Sequence, residues 1–269
     1  MPELTVVAEN TTFSPLLLAE HGWSVLIRQE DSLFLFDSGS GRVLLPNLRQ
    51  IGIDPSDIRG LLLSHGHNDH TGGATDLLSC NPGLMVYAHP AAFEAKFSIR
   101  GSRIRSIGSE HLQEQIAGEA LMLSTELQKI VPGMFLSGEI PRRYPDSSSG
   151  YFLDAKGTVR DLILDDQFLI LDSPNGLTIV LGCCHSGPRN SFLRAAMLFP
   201  DRPVDMVLGG LHLKEADPIT INDTIEALRE LAPSRIGLSH CTGLEPYRVI
   251  SSAFPGQVFW ASTGFHTAI

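Results

Sequence analysis

Four apolar runs in this chain end alike, in small residues closely followed by a histidine. They are LLLSHGH (Leu61 to His67), LTIVLGCCH (Leu177 to His185), VLGGLH (Val207 to His212) and IGLSH (Ile236 to His240). Short apolar runs bounded by turn residues read as buried strands. The C-terminal ends of strands open into loops at a sheet edge, where binding groups are commonly placed. The chain is therefore expected to bury several strands while presenting histidines at their ends.

The remaining pattern fits that demand. Leu4 to Glu9, Trp23 to Gln29 and Ser32 to Gly39 read as strands, with a tight hairpin at Glu30-Asp31. Arg42 to Ile53 reads as a helix with Pro46 near its first turn, Ile58 to His65 as a strand, and Gly72 to Cys80 as a helix. A strand over Leu84 to Pro90 and a helix over PAAFEAK follow. From Ser98 to Gly150 the pattern weakens, and several arginines (Arg100, Arg103, Arg105, Arg142, Arg143) lie there. A hairpin turned at Pro174-Asn175-Gly176 starts the second half. Helices over Asn190 to Leu198, Ile219 to Leu231 and Glu245 to Ala253 then alternate with strands over Val204 to Leu208, Arg235 to Ser239 and Gln257 to Trp260. Each half begins with hairpins and ends in β–α alternation. The expected class is α/β, an αββα sandwich of two mixed sheets packed face to face, with helices on the outer faces. The expected organisation is a single domain over residues 1–269, with about 98–150 as an insertion that covers a site.

Composition narrows the partners. The chain has 269 residues, is 43% hydrophobic and carries a net charge of −10 with histidine neutral. An acidic surface repels phosphate backbones, so nucleic acid is not an expected partner. No apolar run approaches ~18 residues, and MPELTVVAEN lacks the layout of a secretory leader, so no membrane association is expected. The cysteines, Cys80, Cys183, Cys184 and Cys241, are too few for a disulfide framework, and a cytoplasmic setting is expected. A small-molecule substrate and a homodimer are the partner expectations.

The densest chemistry is SHGHNDH, Ser64 to His70. It places His65, His67, Asp69 and His70 within six residues. Protonated imidazoles so close repel one another unless a metal or an acid compensates them. Imidazole with carboxylate suits zinc, iron or manganese. His185, His212 and His240 are candidate distant ligands by their place after apolar runs. Asp37 in SLFLFDSGSG is either a group that orients a ligand or a member of a polar network.

His65-Gly66-His67-Asn68-Asp69-His70 resembles the H-x-H-x-D-H motif of the metallo-β-lactamase superfamily, and FDSGSG resembles the segment carrying that superfamily's early aspartate. GCCHSG, GGLH, HCTG and SGEIPRR resemble segments of one branch, typified by the dihydropterin–ribofuranosylaminobenzene phosphate synthases of methanopterin biosynthesis. The resemblance implies a metallo-β-lactamase fold with one or two divalent ions, zinc first, iron or manganese as alternatives. It implies His65, His67 and His185 for one ion and Asp69, His70 and His240 for the other. The chain departs from the superfamily where many members carry a bridging aspartate. Gly182-Cys183 stands there, so either Cys183 takes that place as a thiolate or no protein group bridges. If His185 aligns with the missing aspartate, His89 in VYAHP is the fallback ligand.

The function implied is that of a metal-dependent hydrolase acting on a small, phosphorylated substrate. Asp69 would orient or deprotonate water, and His212, if not a ligand, would donate to a substrate oxyanion. Arg142 and Arg143 are the expected phosphate contacts, since arginine forks suit phosphate. The alternative is a methanopterin-type synthase. A diiron redox protein ranks third: it needs an electron donor, usually a flavin domain, for which one sandwich leaves no room, so a separate ferredoxin would have to substitute.

Overall fold

The computed structural model describes residues 1–269. The chain divides into two units: Met1–Thr125 with Ser148–Asp165 and Ser262–Ile269, and Glu126–Ser147 with Asp166–Ala261.

The first unit is built on a seven-stranded mixed sheet in the order His266–Ala268, Glu3–Ala8, Ser24–Gln29, Ser32–Phe36, Ile58–Leu62, Met85–Ala88, Leu121–Leu123. The pairs up to Ser32–Phe36 are antiparallel, and those beyond it are parallel. The hairpin at Glu30-Asp31 forms with Gln29 opposite Ser32. Val25, Leu26 and Ile27 are all buried, as are Phe34, Leu35 and Phe36. Both faces are thus withdrawn from solvent, which is why these strands read as continuous apolar runs. On one face, helices Leu44–Gln50 and Ala74–Cys80 add Leu44, Leu48, Leu77 and Leu78 to a cluster with Leu35, Leu61 and Val86.

The second unit has its own seven-stranded mixed sheet: Val258–Trp260, Arg235–Leu238, Val204–Gly209, Gly176–Val180, Leu169–Ser173, Met134–Leu136, Gln128–Val131. Its first four strands are parallel, and the rest pair antiparallel. Helices Pro188–Leu198, Pro218–Leu231 and Leu244–Ala253 contribute Phe192, Ile225, Leu228 and Ile250 to a cluster with Ile179, Val207 and Ile236. The longest helix has clear boundaries. Asp217 caps it by accepting the Thr220 N–H at 2.8 Å, and Pro218 occupies its first position.

Two stretches differ from the sequence expectation. PAAFEAK forms a single 3₁₀ turn, Pro90–Phe93, and not a helix. His89 caps this turn, its Nδ1 accepting the Ala91 N–H at 3.1 Å. The chain then extends, because Lys96 is drawn inward between Asp161 and Asp165, at 3.0 and 2.9 Å. Burial pushes the Lys96 ammonium down, but the two carboxylates outweigh it and raise its pKa, so the group stays charged. The weakly patterned region supplies Phe97–Arg100 and Arg103–Ser106, which with Tyr151–Phe152 form a three-stranded sheet, the edge strands Leu121–Leu123 and Gln128–Val131, and Met134–Leu136 beside the latter. These strands are short, and Arg103–Ser106 is exposed throughout, so no apolar alternation marks them.

Asn47 fixes the first helix to the sheet. Its amide donates to the carbonyls of Val7 and Leu18 at 2.7 and 2.8 Å, and its oxygen accepts the Leu18 N–H at 2.9 Å. Asn47→Ala strips several partly buried backbone groups of their partner. It is expected to lower stability by about 1–3 kcal/mol in urea unfolding.

Candidate metal centre

In the first unit the site grows from two adjacent parallel strands, Ser32–Phe36 and Ile58–Leu62. Asp37 follows the first and Ser64 to His70 follow the second. Asp37, fully buried, turns the chain with φ +60°. Its Oδ1 accepts the Ser64 N–H at 2.7 Å, and its Oδ2 accepts the Ser64 hydroxyl at 2.7 Å. His70 Nδ1 lies 2.6 Å from Asp37 Oδ2. A proton on Nδ1 makes this a short charge-assisted bond and turns the Nε2 lone pair away from the carboxylate. Ser64 Oγ also contacts His65 Nδ1 at 2.9 Å. One carboxylate and one hydroxyl thus orient two of the histidines.

His65, His67 and His70 crowd together. His65 Nε2 and His67 Nδ1 are 3.0 Å apart, and the His65 and His70 ring centroids are 4.2 Å apart. All three rings are buried. At most one proton fits between His65 and His67, and buried imidazoles at this spacing cannot all be charged. Neutral nitrogen donors gathered in this way fit a divalent ion such as zinc. Asp69 stands at the rim, its Oδ2 3.3 Å from His21 Nε2 and 3.9 Å from His70 Nε2. Glycines make the loop possible. A Cβ on Gly66 would lie 2.0 Å from the Ala92 carbonyl oxygen, and one on Gly73 would lie 2.3 Å from that of Ser38.

In the second unit Gly176–Val180 and Val204–Gly209 pair in parallel and lead to Cys183-Cys184-His185 and to His212. Donor atoms of Cys183, His185 and His212 all lie within 4.8 Å of one another. The His185 and His212 rings are 4.3 Å apart between centroids. This imidazole and thiol set also fits a divalent ion. His240, buried, follows Arg235–Leu238. Burial alone would push the Cys241 thiol up, but hydrogen bonding with Cys183 and His212 and the fields of His240 and His212 hold it well below the usual thiol range. Cys184 goes the opposite way, raised by burial and by Asp166. None of the four cysteines is in a disulfide.

The strand ends are strained. Asp37, Cys184, His212 and His240 have φ of +60°, +59°, +51° and +52°. Left-handed backbone at non-glycine residues costs about 1–3 kcal/mol each and concentrates at functional sites.

The other expected residues are placed as follows. His89 is buried as the cap of its turn. Arg142 pairs with Asp146 at 2.9 Å, and its Nη1 lies 3.5 Å from the His185 carbonyl. Arg143 donates its backbone N–H to Asn190 Oδ1 at 2.9 Å. Sequence reasoning missed Ser64, which stood inside the quoted motif, and His21, Lys96, Tyr151 and Asp165, which carry no local signal. Tyr151 stacks on His67 with centroids 5.1 Å apart.

Asp37→Asn keeps the shape but removes the charge that holds His70. Metal affinity, measured by competition with a chromophoric chelator, is expected to fall by about 10- to 100-fold.

Comparisons with known proteins bear on the fold. Residues 18–82 match the profile of the metallo-β-lactamase superfamily. Over 93% of this chain and 90% of the relative, the sequence is 29% identical to 7,8-dihydropterin-6-methyl-4-(β-D-ribofuranosyl)-aminobenzene-5'-phosphate synthase of Methanocaldococcus jannaschii. The crystal structure of a metal-dependent hydrolase of the β-lactamase superfamily superposes with a TM-score of 0.88 at 28% identity, covering 100% of this chain and 99% of that one. Zinc-bound PqqB from Methylobacterium extorquens shares the fold at a TM-score of 0.61 and 12% identity, covering 99% of this chain and 100% of its own. By its superposition on the hydrolase over its full length, the chain has the metallo-β-lactamase fold.

Proposed function

We propose that the protein is a metal-dependent hydrolase of a small, phosphorylated substrate. The observation that carries this reading is the buried group of His65, His67 and His70 with His70 oriented by Asp37. The ligands assigned are His65, His67 and His185 for one ion and Asp69, His70 and His240 for a second. Cys183 is a further donor in place of a bridging carboxylate. When bound, a divalent ion, zinc foremost, supplies Lewis acidity and acidifies a coordinated water.

The residues of the chain divide the remaining work. Asp37 holds the proton on His70 Nδ1, so that Nε2 serves as donor. Asp69, partly buried at the rim, orients the attacking water and receives its proton on a carboxylate oxygen. His212 donates a hydrogen bond to the oxygen on which charge develops. Arg142 and Arg143 hold the phosphate of the substrate, since arginine forks suit phosphate. The substrate proposed is a small molecule; no helix of the chain is long and apolar enough to cross a membrane.

A second reading, a bond-forming synthase, is supported by the 29% identity to the Methanocaldococcus jannaschii synthase along nearly the whole of both chains. Cys183 where an aspartate is usual also favours a specialised reaction. The same residues would then orient two organic substrates and keep water out.

Metal content comes first, by plasma mass spectrometry on protein purified without chelator. About two equivalents of zinc, iron or manganese per chain are expected. None after reconstitution would overturn the metal reading. With loaded protein, turnover of phosphoesters or lactones supports the hydrolase, and product formed only from a dihydropterin with a ribofuranosylaminobenzene phosphate supports the synthase. His212→Ala is expected to lower kcat by about 10²- to 10³-fold, the cost of losing one oxyanion donor. Arg142→Ala and Arg143→Ala are expected to raise KM for phosphorylated substrates and leave kcat near wild type.

A further inference from the structure

We propose that Asp165, held by Lys96, is a positioning residue that sets the backbone between the metal ligands His65 and His67. This rests on the metal-site reading above and adds a group to it.

The Gly66 N–H lies between the two histidines in sequence and donates to Asp165 Oδ2 at 2.7 Å. The other oxygen, Oδ1, accepts from Lys96 Nζ at 2.9 Å. Lys96 also donates to Asp161 Oδ2 at 3.0 Å. Asp165 and Lys96 are 0% and 1% exposed. A charged group withdrawn this far from water is costly unless its partners are fixed. Here one carboxylate is clamped at both ends, by an ammonium and by the amide of the ligand loop.

The loop has little room to answer any shift. Gly66 already touches the backbone of Ala92, where a Cβ would sit 2.0 Å from the carbonyl oxygen. His67 is stacked on Tyr151, which belongs to the same Ser148–Asp165 segment as the clamp. Rotation of the peptide at Gly66 would carry His65 and His67 apart, and their nitrogens are only 3.0 Å from each other. Groups that orient ligands from behind typically govern metal affinity by 10- to 100-fold.

The test measures zinc affinity by chelator competition, and urea stability, for full-length wild type, Asp165→Ala, Asp165→Asn, Asp161→Asn and His67→Ala. Asp165→Ala is expected to bind zinc about 10- to 100-fold more weakly. Asp165→Asn, which keeps an acceptor oxygen for Gly66, should fall between Asp165→Ala and wild type. Asp161→Asn, which leaves the Gly66 bond intact, should bind as wild type even if it is less stable. Loss of stability without loss of affinity in folded Asp165→Ala would overturn the inference while leaving the metal site standing. If Asp165→Ala does not fold, the near-isosteric Asp165→Asn decides: weakened zinc binding supports the inference and unchanged binding overturns it. Wild type that binds no zinc, or His67→Ala that binds as tightly as wild type, would overturn the metal-site reading and this inference together.

Discussion

The buried carboxylate of Asp37 is the interaction on which the histidine cluster of the first unit depends. It joins the end of one parallel strand to the end of the next, through the backbone and hydroxyl of Ser64 and the ring of His70. A carboxylate at 0% exposure is expensive without partners, and here its two oxygens meet two hydrogen-bonding groups and an imidazole. The same contacts fix the rotation of His70 and, through Ser64, of His65. Fold and site are thus one network in this region, and a change that frees the carboxylate disturbs the strand connection and the histidines together.

A shared logic governs both units. In each, parallel strands deliver a short peptide whose backbone leaves the strand through left-handed φ, at Asp37 in one and at Cys184, His212 and His240 in the other. L-residues avoid this region, so the surrounding packing has to hold them there. Small residues before each histidine in the second unit make this possible. A Cβ on Gly210 would meet Cys241 Sγ at 2.5 Å, and one on Gly209 would meet the Leu181 carbonyl at 2.2 Å. The sequence signature of small residues before a histidine is the chemical trace of a backbone forced to turn sharply in a crowded place.

Much of this was legible because the information is local. Apolar runs such as Leu177 to Val180 and Val204 to Leu208 are long enough to declare buried strands, and Asp217-Pro218 declares a helix start. The parts that were not legible depend on distant partners. Lys96 looks like the end of a surface helix until Asp161 and Asp165, far along the chain, draw it inside. Tyr151 stands in a polar stretch with nothing to mark it as the ring that covers His67. The strand His266–Ala268 is three residues long and mostly exposed, so hydrophobic pattern gives it no weight; its pairing with Glu3–Ala8 alone makes it a strand.

That last pairing bears on how the chain reaches its fold. Thr5 faces His266 across 261 positions of sequence. Contacts of such separation are the slowest to form, because the loop entropy is lost before any pairing compensates it. Until they form, Glu3–Ala8 has one side of its backbone open, next to Val6, Val7 and Ala8, which are buried in the finished sheet. An open apolar edge is a template for pairing with another chain. An uncovered first strand would be such a template, and the short polar strand that pairs with it closes that edge without adding to the core.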